Sequence, residues 1–136
     1  MKQTERARIL NFSQANDERG CMAIAQAGKE IPFIIKRIFY TYNMQGDAIR
    51  GQHANRYSNF ILVNVVGSCE IKVDYGNETE IFVLDKPYQG LYIPNMVWKD
   101  MYDFSPDSVQ LVLASEKYSA EEYIRNYEEY IAEVCG

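Results

Sequence analysis

From residue 31 to residue 115 the apolar positions fall in short runs with a period of two. Glycine, proline, asparagine and aspartate break the runs, which is the pattern of strands joined by tight turns. The run "IPFIIKRIFYTYN" (31–43) is rich in β-branched and aromatic residues. As a strand it places Ile35, Arg37, Phe39 and Thr41 on one face, and Ile34, Lys36, Ile38, Tyr40 and Tyr42 on the other. "MQGDAIRG" (44–51) is a loop. "NFILVNVVGSCEIKVDYG" (59–76) reads as two strands broken at Gly67-Ser68, the second ending in the hairpin signal Asp74-Tyr75-Gly76-Asn77. "TEIFVL" (79–84) is a further strand, and "DKPYQG" (85–90) a turn. "LYIPNMVWKDMYDF" (91–104) turns at Pro94-Asn95, and "SVQLVLAS" (108–115) is a buried strand. Only the tail changes period. Over 119–134, Tyr123, Ile124, Tyr127, Tyr130 and Ile131 recur at helical spacing, and Ser119 with Glu122 forms a capping box, so a helix is expected there. Many short strands and one terminal helix predict a mainly β fold, a β-sandwich or barrel of the jelly-roll kind.

Composition narrows the picture. A chain of 136 residues without linker, repeat or low-complexity segment is read as one domain over 1–136. The net charge of −5 argues against a general nucleic-acid binder, yet a small anionic ligand needs only a few well-placed cations. Cys21, Cys69 and Cys135 have no CxxC spacing and read as reduced thiols of a cytoplasmic protein. "MKQTERARIL" lacks the apolar run of a signal peptide, and no apolar stretch is long enough to span a membrane, so no membrane partner is expected.

The candidate chemistry centres on "RGQHANR" (50–56), which holds the sole histidine. His53 suits general acid/base work, and it equally suits a hydrogen-bonded structural role. One histidine is too few for the usual metal centre of this kind of fold, so no metal is expected. Arg37, in a largely apolar strand, and Arg50, beside Gly51, each demand anionic company. That company is either an internal carboxylate or a bound phosphate. Tyr40 and Trp98 are the aromatics best placed to stack on a base or sugar.

Taken in order, "DERGCMAIAQAGKEIPFIIKRIFYTY", "RGQHANR", "VVGSCEIKVDYG", "LDKPYQGLYIPNMVWKDMYDFS" and "LVLASEKYSAEEYIRNYEEY" resemble the WxcM-like sugar 3,4-ketoisomerases, cupin-fold enzymes of bacterial deoxysugar biosynthesis. The resemblance runs from about residue 17 to 130 and rests on the combination of RG-x-HA, VxGS, VW and the late tyrosine-rich segment. It implies a homodimer acting on dTDP-4-keto-6-deoxyglucose. The ketone moves from C4 to C3 through an enediol, without metal or other cofactor. Arg50 and His53 match the start of the family motif RG-x-HAH, and Arg37 and Tyr40 fall in the strand that helps form the nucleotide-sugar pocket.

Three departures lie at the chemical centre. Asn55 stands where the motif has its second histidine, the principal base. Lys99-Asp100 follows Trp98 where the family usually has His-Glu, and Asn59 stands where glutamine is common. An amide takes up no proton at physiological pH, so Asn55 can only hydrogen-bond. The expected site therefore comprises His53 with Tyr40 as catalytic groups, and Arg37, Arg50, Asn55, Asn59, Trp98 and Lys99 as substrate-binding groups. Two other readings stay open: a catalytically impaired homologue that binds a nucleotide sugar, and a related cupin epimerase.

Overall fold

The computed structural model describes residues 5–136. Along the chain run β1 (Arg8–Asn11), β2 (Ser13–Asp17), β3 (Gly20–Ile24), β4 (Arg37–Thr41), β5 (Arg50–Asn55), β6 (Phe60–Val66), β7 (Cys69–Asp74), β8 (Thr79–Leu84), β9 (Gln89–Ile93), β10 (Trp98–Tyr102), β11 (Val109–Ala114), β12 (Tyr123–Ile124) and the helix α1 (Tyr127–Cys135). The strands make two antiparallel five-stranded sheets, ordered β1-β9-β6-β11-β4 and β12-β5-β10-β7-β8, and a separate ribbon of β2 and β3. From β4 to β12 the chain passes back and forth between the two sheets, pausing only at the β7–β8 hairpin. That hairpin turns where the sequence signals it. Gly76 takes φ 101°, its N–H is bound by Asp74 Oδ1 at 2.8 Å, and Tyr75 N–H bonds Glu78 O at 2.9 Å.

Apolar faces meet between the sheets. Phe60, Leu62, Leu91, Ile93, Val112 and Ala114 of the first sheet pack on Cys69, Ile71, Val73 and Leu84 of the second. Each sheet also covers its outer face. Ile31, Phe33 and Ile35 lie over Ile61, Val63 and Leu113 of the first, while Tyr130 and Val134 of α1 lie over Ala54, Trp98 and Ile124 of the second. The mainly β expectation holds, with two local corrections. The predicted strand 31–43 is a strand only over Arg37–Thr41, because the preceding residues serve as a cover over the sheet rather than a member of it.

The predicted helix over 119–134 is broken into a 3-10 turn (Ala120–Glu122), β12 and α1. Tyr123 and Ile124 pair with the free edge of β5, opposite Asn55 and Ala54. Ser119 makes no side-chain cap, and the helix is capped instead by Asn126, whose side chain accepts Glu129 N–H at 2.9 Å. Glu122 is drawn away from capping to a buried site described below. Cys21, Cys69 and Cys135 are unpaired, and among the described residues no helix is long and apolar enough to cross a membrane.

Candidate active site

A cavity of about 380 Å³ opens between the two sheets, within the range of small-molecule sites. Its floor is the inter-sheet core at Phe60, Leu62 and Val112. Its polar walls are Arg50 and His53 from β5, Lys99 from β10, Gln110 from β11, Thr41 from β4, and Tyr123 and Arg125 from the segment paired with β5. Among the described residues three cations line it and no carboxylate does, although the chain as a whole is acidic.

Strand β5 aims these groups by breaking its own alternation. In a regular strand residues 50 and 53 would point to opposite faces. Here Lys99 pairs with His53, Asp100 with Gly51 and Met101 with Arg50, so Gln52 is the extra residue of a bulge. Gly51 and Gln52 both take positive φ, 83° and 57°. The bulge brings Arg50 and His53 into one cavity. Only glycine fits at 51, since a Cβ there would lie 2.7 Å from the Lys99 carbonyl oxygen. A Gly51→Ala variant is expected to lose about 1–3 kcal/mol of stability, read as a lower urea midpoint. An unchanged midpoint would show that the bulge is free to relax.

His53 faces Tyr123, ring centroids 4.7 Å apart, and its Nδ1 lies 2.9 Å from the Gly51 carbonyl oxygen. A carbonyl has no proton to give, so Nδ1 carries the hydrogen and Nε2 keeps its lone pair. Burial, and then repulsion by the Lys99 ammonium, push the imidazole down to about 3, so it is neutral at working pH.

Lys99 is 4% exposed. Its Nζ donates to Asn55 Oδ1 at 3.3 Å and stands 4.7 Å from the centre of the Phe60 ring. Burial pushes the amine down to about 7, against the pull of the Glu122 carboxylate. Glu122 is itself buried and well satisfied. It accepts Tyr57 N–H at 3.0 Å, Ser58 N–H at 2.8 Å and the Ser58 hydroxyl at 2.5 Å. Burial opposes its ionisation, but those hydrogen bonds prevail and hold it below the usual carboxylate range.

The structure gathers some of the sequence-predicted residues and disperses others. His53, Arg50 and Lys99 line the cavity, and Asn55 lies behind Lys99 with its Nδ2 buried and unpartnered. Arg37 stands beside the cavity, its guanidinium 4.9 Å from the ring centre of Phe39 and 5.5 Å from that of Tyr118. Its Nε and one Nη are buried without a hydrogen-bond partner, so the internal carboxylate that the sequence left open is not there.

Tyr40 is not brought to the cavity. Phe39 and Thr41 of the same strand line it, so Tyr40 faces the opposite way, 61% exposed and against Tyr42. Trp98, on the other face of β10 from Lys99, is a core residue edge-on to Tyr127. Asn59 ties loops together, accepting Asn95 N–H and donating its own N–H to Ser115 Oγ, both at 2.8 Å. Sequence reasoning missed Tyr123, Arg125 and Glu122, because a helical period hid the strand that presents them. The one available signal was the pair of charged residues, Glu122 and Arg125, bracketing Tyr123-Ile124.

Comparison with known proteins follows the same lines. The sequence model of the family described as FdtA, WxcM-like, C-terminal, matches residues 5–135. The TDP-4-oxo-6-deoxy-alpha-D-glucose-3,4-oxoisomerase of Aneurinibacillus thermoaerophilus is 40% identical over 130 residues, 93% of this chain and 94% of that one. A 3,4-ketoisomerase from Helicobacter canadensis superposes with a TM-score of 0.92 at 41% identity, over 96% of this chain and 98% of that one. A histidine-to-asparagine variant of the 3,4-ketoisomerase QdtA from Thermoanaerobacterium thermosaccharolyticum, in complex with TDP-4-keto-6-deoxyglucose, superposes with a TM-score of 0.93 at 35% identity. That match covers 97% of this chain and 96% of the other.

Proposed function

The chain belongs to the WxcM-like, C-terminal family, and on that premise we propose that it is a nucleotide-sugar 3,4-ketoisomerase acting on a TDP-linked 4-keto-6-deoxyhexose. The observation that carries the reading is the charge of the cavity. In an acidic protein, Arg50, Lys99 and Arg125 converge on one histidine with no carboxylate among them, and Arg37 waits beside them with unmet donors. That arrangement suits a ligand with a diphosphate at one end and a neutral, proton-exchanging sugar at the other. Arg37 and Arg50 hold the diphosphate, and Tyr123 and the apolar floor enclose the sugar.

The reaction is redox-neutral, and proton transfers alone complete it. His53 lines the cavity with the lone pair on Nε2 and takes the proton from C3. The resulting enediol collapses to the 3-ketone when C4 receives a proton. One imidazole serves both carbons because they are neighbours on the ring. Tyr40, facing away, takes no part within one protomer.

The enzyme works as a homodimer in the cytoplasm. Supporting the dimer is the apolar outer face of β4, where Ile38 and Tyr40 are exposed, continued by the exposed Tyr42 just past the strand. Supporting the compartment are the three unpaired cysteines.

Titration calorimetry with TDP tests the binding half of this reading. The protein is expected to bind TDP, and Arg37→Gln to weaken it about 10–100-fold, the value of a charge-assisted hydrogen bond. No heat with TDP, or an unaltered Kd in the variant, contradicts it. Asn55 favours one second reading, a module that holds the sugar nucleotide without turning it over. A protein that binds TDP and leaves TDP-4-keto-6-deoxyglucose unchanged would establish that reading instead.

A further inference from the structure

Ketoisomerisation moves two protons, one between carbons and one between oxygens, and a single histidine handles only one pair at a time. Asn55 cannot take the second part. Its side chain is committed instead to the neighbour that can, since Asn55 Oδ1 accepts from Lys99 Nζ at 3.3 Å. Lys99 and His53 stand directly opposite each other on β10 and β5. Such a cross-strand pair has Cβ atoms roughly 5 Å apart, and both side chains line the cavity.

We propose that Lys99 is the second acid/base group of this site and that the pair Lys99–Asn55 replaces the missing second histidine. This rests on the ketoisomerase reading given above. His53 Nε2 takes the C3 proton, and the C3–H electron pair becomes the C3=C4 bond. The C4=O π pair moves onto O4, which receives a proton from the Lys99 ammonium. The enediol then reverses these roles. The neutral Lys99 amine takes the O3 proton, the C3=O bond forms, and the C3=C4 pair takes a proton at C4 from the His53 imidazolium. Both side chains end as they began.

The electrostatics favour this exchange. The charged and titratable groups around Lys99 are His53 and Arg50 from β5, Glu122 from the 3-10 turn, Tyr123 of β12, Arg125 after it and, over the same Phe60 ring, Arg37 of β4. Buried among them, the amine sits at about 7, where it gives and takes a proton with equal ease. When it gives up its proton, one of the two leading causes that keep His53 neutral disappears, so the imidazole gains basicity as the C3 proton moves. Asn55 fixes the amine without neutralising it, which a carboxylate in its place would not do.

The test compares wild type, Lys99→Met and Lys99→Arg on TDP-4-keto-6-deoxyglucose, with kcat, KM, a pH profile of kcat and the Kd for TDP. Methionine keeps the length of the chain and removes a buried charge, and arginine keeps a charge that it does not release. Both variants are expected to lose about 10²-fold or more in kcat, with TDP affinity changed less than about tenfold. The wild-type pH limb near neutrality should vanish in whichever variant folds. Either variant retaining kcat within about threefold, or keeping the pH limb, overturns the role of Lys99. A wild type without turnover overturns the ketoisomerase reading itself, and the inference falls with it.

Discussion

Replacing His53 by glutamine lowers kcat on TDP-4-keto-6-deoxyglucose by about 10²–10⁴-fold while TDP binding stays within a few-fold of wild type. The split follows from where the groups sit. His53 is the sole imidazole, and its Nδ1 is held by the Gly51 carbonyl, which leaves the lone pair on Nε2. The cations assigned to the diphosphate are separate side chains, Arg50 in the cavity wall and Arg37 beside Phe39. Glutamine preserves hydrogen bonding and removes proton transfer.

The same variant has a signature in stability. The folded-state value of about 3 lies below the ordinary 6.5, so the unfolded chain binds the proton first. The contribution of the neutral, buried ring is complete above about pH 6.5 and is lost as pH falls towards 3, at up to ~1.4 kcal/mol per pH unit. His53→Gln should flatten that part of the stability curve. Equal kcat in the variant would show that the ring is structural only, and a parallel stability curve would show that burial does not hold its pKa down.

Replacing Glu122 by alanine destabilises the fold by about 2–4 kcal/mol. Its carboxylate satisfies two backbone N–H groups and one hydroxyl on the 57–58 segment. Those donors are buried or partly so, and alanine leaves them unpaired. Because the folded-state pKa of Glu122 is held down, its contribution is present above the unfolded value near 4.5 and is lost as pH falls below it. The alanine variant should therefore be less stable at neutral pH and converge on wild type in acid. The adjoining residues Tyr123 and Arg125 wall the cavity, so KM should also rise. Chemical denaturation at pH 7 and pH 4 checks both signs. A constant gap between the two proteins would assign the loss to packing rather than to the carboxylate.

How much of this was legible in the chain depends on how local each determinant is. The β7–β8 hairpin is written in four consecutive residues, and β11 in one apolar run, so both are found where expected. Strands β2 and β3 carry mostly exposed residues and no alternating apolar face, so no pattern marks them. The tail misled because Tyr127, Tyr130 and Ile131 belong to a true helix, whereas Tyr123 and Ile124 join a strand edge that lies about seventy residues earlier in the chain.

The motif placed His53 and Arg50 in the site. It could not tell whether Arg37 meets an internal carboxylate, since that depends on which acidic residues fold nearby. The pairing of Lys99 with His53 and Asn55 is equally silent in sequence, because it is made by the register of β10 on β5 and by a one-residue bulge at Gln52. Tyr40 and Trp98 were drawn to the site by strand membership, and the alternation of side chains sends both elsewhere.

The most direct measurement is proton NMR of the purified protein with TDP-4-keto-6-deoxyglucose in deuterated water, followed from the first minutes. A site in which His53 and Lys99 share the work should convert the 4-ketone to the 3-ketone, with deuterium entering at C4 as the imidazolium exchanges. Substrate that keeps its C3 proton and its 4-ketone, in a sample shown by calorimetry to bind TDP, would contradict an isomerase built on these residues and leave a binding protein in its place.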